Sequence, residues 1–173
     1  MEYIFLAGIH GVGKTTLLNR VKESIEIESL AISDLIRSAG NNINISEKRT
    51  NEIVGNQQLW IQELDKQYFQ QDVQVILDGH LSLLDSNSLI KRLEFSVFDD
   101  IEINKVILKK DDPYLIKERL YTRDHCSWDL ELIKEFQDVE EQQVTNFCLI
   151  NNIPFLIFEN DNMFPDLLHF IAQ

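Results

Sequence analysis

The sequence predicts an α/β fold, a three-layer α/β/α arrangement built on a five-stranded parallel sheet. Short apolar runs rich in β-forming residues recur along the chain, and segments with helical periodicity lie between most of them. Continuous apolar runs are typical of parallel strands buried on both faces. Strands that alternate with helices indicate helices on both sides of such a sheet. The predicted strands are Tyr3–Ala7, Glu26–Leu30, Val73–Leu77, Ile103–Leu108 and Phe155–Phe158.

Apolar periodicity and capping residues predict the helices. Ser33 or Asp34 is expected to cap the second helix, and the run Gly40–Asn42 to end it. Pro113 after Asp112 is typical of a helix start. The predicted helices cover residues 13–24, 33–39, 46–71, 113–124, 129–151 and a short segment after Pro165. The apolar positions of the long helix 129–151 are Leu132, Phe136, Val139, Phe147 and Ile150.

The segment between the first strand and the first helix has the pattern of a phosphate-binding loop. Gly8-Ile9-His10-Gly11-Val12-Gly13-Lys14-Thr15 matches G-x-x-x-x-G-K-[ST] at every fixed position. Glycines let backbone N–H groups surround a phosphate, and the helix start below adds its positive dipole end. We therefore expect ATP to bind from Gly8 to Thr16, with Lys14 on the β- and γ-phosphates and Thr15 on Mg²⁺. His10 is expected to contribute mainly its backbone amide.

A second polar segment, Asp78-Gly79-His80, follows the third predicted strand. An acidic residue that ends a buried strand beside a phosphate loop typically organises the Mg²⁺ shell through water. The alternative is that Asp78 caps the next turn. His80 either meets a substrate or satisfies a turn. The sequence thus predicts Asp78 as a candidate metal-shell residue and His80 as a candidate substrate contact.

Composition and charge exclude several classes of protein. The chain has 173 residues, 44% of them apolar, which suits a single domain, and its formal net charge of −13 argues against broad nucleic-acid binding. No apolar run approaches the ~18 residues that span a bilayer. The phosphate loop begins at Gly8, so no signal peptide is expected before it. Cys126 and Cys148 show neither metal-ligand spacing nor disulfide density. We expect a cytoplasmic protein that binds neither nucleic acid nor membrane.

On the basis of these two segments, the chain resembles the adenylate-kinase-type nucleoside monophosphate kinases, which are small P-loop NTPases. It also resembles small bacterial ATP-binding proteins of that kind. The segment from Ser33 to Arg37 resembles their Gly-Asp-hydrophobic-hydrophobic-Arg acceptor segment. The resemblance implies that Arg37 grips an acceptor phosphate. For a hydroxyl acceptor, Asp34 would act as general base. The resemblance also implies one domain, 1–173, with acceptor-site helices at about 33–71.

The segment Lys117–Asp124 resembles the arginine-bearing lid entry of the same family. Arg119 and Arg123 stand four apart on a helix, so they share a face. The resemblance implies a short lid at about 117–128 in which both arginines clamp the transferring phosphoryl group. The alternative is a pair of solvated helix arginines. Gln57 lies where such kinases present amides to a nucleobase, although an exposed helix face suits a glutamine equally.

The sequence departs from the family after Asp78-Gly79, where His80-Leu81-Ser82 replaces an aromatic, a proline and an acceptor-binding arginine. No arginine follows before Arg92, and Arg49 is the candidate replacement. Two functions stay open. The first is transfer of the γ-phosphate of ATP to a small acceptor, a nucleotide or nucleoside. The second is an ATP-hydrolysing switch that acts on a protein partner.

Overall fold

The fold of the protein is described from a computed structural model, which covers residues 1–39, 60–85, 87–125 and 127–173. The strands are β1 (Glu2–Ala7), β2 (Ile27–Ala31), β3 (Gln74–Asp78), β4 (Ser82–Leu84), β5 (Ile90–Arg92), β6 (Glu102–Lys109) and β7 (Phe155–Phe158). The helices are α1 (Lys14–Lys22), α2 (Ile32–Ser38), α3 (60–64 of the described residues), α4 (Pro113–Asp124), α5 (Leu130–Asn151) and α6 (Phe164–Ala172). Short 3-10 turns cover Phe95–Phe98 and Asp161–Met163.

The main sheet has five strands in the order β2-β3-β1-β6-β7, and every pair in it is parallel. The predicted three-layer α/β fold is therefore confirmed. Strand β1 lies in the middle, and its Leu6 is in register with Asp78 at the end of β3. Because the strands are parallel, their carboxyl ends and the loops after them meet at one edge of the sheet. That edge carries the predicted site.

Apolar side chains pack on both faces of the sheet and around the phosphate loop. One cluster joins β1 and β3 to α2, α3 and α5, and includes Phe5, Trp60, Phe98 and Phe147. A second joins the other face of the sheet to α1 and α6. A third packs Ile9 and Val12 of the loop against α4 and α5. Among the helices that the structure describes, none is long and apolar enough to cross a membrane.

Two helix boundaries differ from the predictions. Ser33 and Asp34 do not cap α2, because β2 runs directly into the helix; Ala31 is its N-cap without a side-chain hydrogen bond, and Asp34 lies in the first turn. The helix predicted over 46–71 is wrong at its end, since 65–71 form turns and extended chain. Because the helix ends before these residues, Phe69 can pack edge-on against Tyr3, with 6.1 Å between the ring centroids.

The buried face of α5 also differs from the prediction. Phe136 and Phe147 are buried as expected, but Ile150 is 73% exposed. Three polar side chains lie on the buried face instead: Gln137, Glu140 and Gln143. The antiparallel hairpin of β4 and β5 was not predicted either, since its strands are only three residues long.

Candidate active site

The loop between β1 and α1 has a backbone that depends on its glycines. Gly8, Gly11 and Gly13 have φ of +147°, +79° and +95°, values that L side chains rarely adopt. A Cβ on Gly8 would lie 2.7 Å from the carbonyl oxygen of Lys109, and one on Gly11 would lie 2.9 Å from Leu120. The glycines therefore supply both the left-handed turns and the close approach to β6 and α4. Helix α1 begins directly behind them, with its first N–H groups at the loop.

Lys14 spans this loop. Its Nζ donates to the carbonyl oxygen of Gly8 and lies 3.4 Å from the carboxylate of Asp78. The two side chains are only 10% and 15% exposed. The structure thus brings Lys14, the predicted phosphate anchor, next to Asp78, the predicted metal anchor, although they are 64 positions apart in the sequence.

A cleft of about 800 Å³ opens in front of the loop. It collects most of the predicted site residues: His10, Gly11, Gly13, Lys14, Thr15, Thr16, Asp34, Arg37, Asp78, His80, Arg119 and Arg123. Gly8 and Val12 are not among its lining residues, and the Val12 side chain is buried. Gln57, with Arg49, lies outside the described residues.

Arg119 on α4 is held against the phosphate loop. Its guanidinium donates to Asp111 at 2.8 Å and to the carbonyls of Gly11 and Val12 at 3.4 Å. Burial raises the pKa of Asp111, but hydrogen bonds from Arg119 and the Asp112 N–H, with the charge of Lys109, outweigh it and lower the pKa. Asp111 therefore stays ionised and anchors Arg119 beside the loop.

The other two arginines of the cleft pair with carboxylates on their own helices. Arg37 donates to Asp34 at 2.8 Å, and their side chains are 47% and 64% exposed. Arg123 makes a bidentate contact with Asp124, at 2.9 and 2.7 Å. Exposed pairs of this kind contribute roughly 0–1 kcal/mol, so an arriving anion competes with them easily.

Apolar side chains also line the cleft. Trp60 and Phe98 are 3% and 5% exposed, and their ring centroids are 6.1 Å apart. The other apolar side chains that line the cleft in this region are Ile32, Ile36, Leu83, Leu93 and Val97. The cleft therefore offers both cations and apolar side chains to a ligand.

His10 of the phosphate loop and His80 after β3 contact each other in the cleft. Their ring centroids are 5.0 Å apart with an interplanar angle of 67°. This contact joins the loop to the segment that follows Asp78. Within the described ranges, no group of three or more His, Cys, Asp or Glu side chains is placed to hold a metal ion by itself.

Two site residues were missed in the sequence. Asp111, which directly precedes the predicted helix start at Asp112 and Pro113, anchors Arg119. Glu140 is completely buried, and its carboxylate accepts hydrogen bonds from the backbone of Leu81 and the hydroxyl of Ser82. The available signal for Glu140 was an acidic residue at helical spacing between Phe136 and Val144.

Comparisons with known proteins agree with this architecture. The model of the AAA domain family matches residues 7–136. A gluconokinase from Sinorhizobium meliloti 1021 superposes with a TM-score of 0.52 over 99% of this chain and 89% of that chain, at 10% identity. At this identity the likeness concerns the fold alone. No curated protein matches the chain. The chain belongs to the AAA domain family and has the α/β fold of the P-loop kinase-like proteins.

Proposed function

We propose that the protein is an ATP-dependent phosphotransferase that moves the γ-phosphate of ATP to a small acceptor, a nucleotide or nucleoside. The observation that carries this proposal is that a single cleft contains both Lys14 and Asp78 and the acceptor-side pair Asp34 and Arg37. The domain organisation belongs to the same proposal: one domain, 1–173, an acceptor-site region at about 33–71 whose described part contains α2 and α3, a lid at about 117–128, and a cytoplasmic location.

The residues around the loop fit ATP and Mg²⁺. The glycine backbone leaves room for a phosphate chain, and Lys14 lies across it. Thr15 and Asp78 offer a hydroxyl and a carboxylate, the hard oxygen ligands that Mg²⁺ takes, directly or through water. When bound, the ion neutralises charge on the β- and γ-phosphates. The protein itself would hold the phosphates with Lys14 and the loop amides.

The same cleft suits an acceptor with a flat apolar group. Trp60, Phe98 and the aliphatic side chains beside them offer apolar contact to such a group. Arg37 would take an acceptor phosphate in exchange for Asp34. This favours a nucleotide or nucleoside.

The transfer itself needs positioning and charge more than covalent chemistry. An acceptor oxygen would form a bond to the γ-phosphorus while the bond to the β–γ bridging oxygen breaks and ADP leaves. Arg119 and Arg123 lie on the same wall of the cleft to stabilise the charge on the moving group. If the acceptor is a hydroxyl, its proton passes to Asp34.

One observation favours the second candidate, an ATP-hydrolysing switch that acts on a protein partner. Between Gly79 and Arg92 the sequence contains no arginine, and Arg92 points to Gln142 on α5 at 2.8 Å. It does not line the cleft. A phosphate acceptor would therefore lose one ligand that the nucleoside monophosphate kinases have.

An acceptor panel separates the two candidates. ADP release is measured with MgATP alone and with nucleosides, nucleoside monophosphates or sugars added, and products are identified by mass spectrometry. We expect at least a roughly ten-fold stimulation by one nucleoside or nucleotide with a matching phosphorylated product. The Lys14→Ala variant serves as the control for contaminating kinases. Equal ADP release under every condition would instead favour the switch.

A further inference from the structure

Helix α5 carries three buried polar side chains at successive turns, and each contacts a loop at the carboxyl edge of the sheet. Gln137 accepts from the N–H of Asp111 and donates to its carbonyl, at 3.1 and 2.9 Å. Gln143 donates to the carbonyls of Leu81 and Leu93. Glu140 lies between them. The three side chains tie the loops after β3 and β6 to one rigid helix.

Glu140 contacts the segment that follows Asp78, the candidate metal anchor. One carboxylate oxygen accepts from the N–H of Leu81 at 2.8 Å, and the other accepts from the hydroxyl of Ser82. The helix that carries Glu140 also packs against the apolar side chains of the phosphate loop. Helix α5 therefore supports both the loop and the segment three residues beyond Asp78.

The stability of the fold alone does not explain an acidic side chain at this buried position. The side chain of Glu140 is 0% exposed, and burial of a carboxylate costs free energy unless hydrogen bonds satisfy it. Burial raises the pKa of Glu140, while the hydrogen bonds from Ser82 and Leu81 and the charge of Lys14 oppose the rise. An apolar residue would fill the same space, but it would leave these donors without an acceptor.

We propose that Glu140 is a positioning residue for phosphate binding and transfer, which fixes the segment after Asp78 against α5, the helix that also packs on the phosphate loop. It does not line the cleft, so it acts through Leu81 and Ser82. The proposal rests on the nucleotide-binding part of the proposed function and not on the identity of the acceptor.

The test compares Glu140→Gln and Glu140→Leu with Glu141→Gln. Glu141 is the next residue of α5 and pairs with Lys110 near the surface, so it is a matched control for loss of an acid. MgATP and ADP affinities, ADP formation and melting temperature are measured for each variant. We expect Glu140→Gln to lower turnover by about ten- to a hundred-fold, because small displacements of reacting groups cost that much. Glu140→Leu is expected to lose more, and the control should match the parent.

A purely structural role predicts a different result. In that case Glu140→Gln would lower the melting temperature, but turnover per folded molecule and nucleotide affinity would match the parent well below the transition. That outcome overturns the proposal. If Glu140→Leu fails to fold, Ser82→Ala replaces it, since this buried residue lies outside the cleft and loses only its contact with Glu140. Unchanged turnover in both Ser82→Ala and Glu140→Gln likewise overturns the proposal.

The two proposals fail in distinguishable ways. If the parent binds MgATP but no acceptor stimulates ADP release, the proposed transferase function fails, while nucleotide affinity and basal hydrolysis still test Glu140. If the parent transfers phosphate and the Glu140→Gln variant does so equally well with equal affinity, the positioning proposal alone fails.

Discussion

Two parts of the cleft hold their charged groups in different ways. On the nucleotide side, Lys14 and Asp78 are nearly buried and contact each other and the phosphate loop. Elsewhere in the cleft, Arg37 and Arg123 are about half exposed, and each pairs with an aspartate on its own helix. Partly buried groups with several partners keep their positions, whereas exposed groups exchange partners more readily. The nucleotide side is therefore preformed, whereas these two arginines can change partners.

Arg119 belongs with the preformed side although it lies on α4 with Arg123. Its partners are Asp111 and the carbonyls of Gly11 and Val12, all close to the phosphate loop. One helix thus carries an arginine that contacts the phosphate loop and another, one turn later, whose guanidinium pairs with its neighbour Asp124. The two arginines of α4 are therefore held in place in different ways.

The largest effect is expected for Lys14→Ala, which removes the central cation of the preformed side. Turnover should fall by at least about a hundred-fold, since a single preorganised donor at a transferring group contributes that much. The fold should stay intact, although the melting temperature should fall, because Asp78 loses its nearly buried cationic partner. Steady-state ADP formation and thermal melting measure the two effects.

Lys22→Ala is the matched control, since Lys22 is an exposed lysine at the other end of α1. It should keep the parent rate. A Lys14→Ala variant that turns over ATP at the parent rate would contradict the assignment of this side to the nucleotide.

A smaller effect is expected for Asp78→Asn. The change keeps the shape of the side chain but weakens its interaction with Lys14 and with a metal shell. Turnover with Mg²⁺ should fall about ten- to a hundred-fold, because loss of a group that orients the ligands of a metal typically has an effect of that size. Nucleotide affinity without Mg²⁺ should change far less, because a negative charge beside the phosphates is also removed.

Asp138→Asn on the exposed side of α5 is the control for loss of an aspartate. Titrations of nucleotide with and without Mg²⁺ separate the two affinities. Equal losses with and without the metal would mean that Asp78 serves only to orient Lys14.

Much of the fold could be predicted because apolar runs carry a strong local signal. Strands such as Tyr3–Ala7 are buried on both faces, so nearly every residue of the run is apolar. The phosphate loop could be predicted because its backbone shape requires glycines at fixed spacing. Both signals lie within a few consecutive residues and need no knowledge of distant partners.

The missed parts depend on contacts between distant residues. Glu140 and Ser82 are 58 positions apart, and neither has a pattern that reveals the other. Gln137 and Gln143 occupy the buried face of α5 only because loops from other strands present backbone groups to them. The end of α3 was missed for a similar reason, since packing of Phe69 against Tyr3 overrides the local helical pattern. Local patterns thus predicted the elements but not the polar contacts that align them.

The most restricted effect, on the acceptor KM alone, is expected for Arg37→Ala. If Arg37 leaves Asp34 to grip an acceptor phosphate, the variant loses a charge-assisted hydrogen bond of about 1.5–3 kcal/mol. The acceptor KM should then rise roughly ten- to a hundred-fold, at about 1.4 kcal/mol per decade, while the ATP KM changes little. Initial rates over a grid of both substrates give the two constants.

Arg20→Ala is the matched control, because Arg20 also pairs with an aspartate at 2.8 Å and is 43% exposed, but lies outside the cleft. It should leave both KM values at the parent level, whatever it does to stability. Asp34→Asn sharpens the result further, since it weakens the same ion pair but retains the guanidinium of Arg37. With a phosphate acceptor, Asp34→Asn should therefore keep a near-parent acceptor KM. If Arg37→Ala lowers only the melting temperature, the pair with Asp34 only stabilises α2, and the acceptor phosphate binds elsewhere.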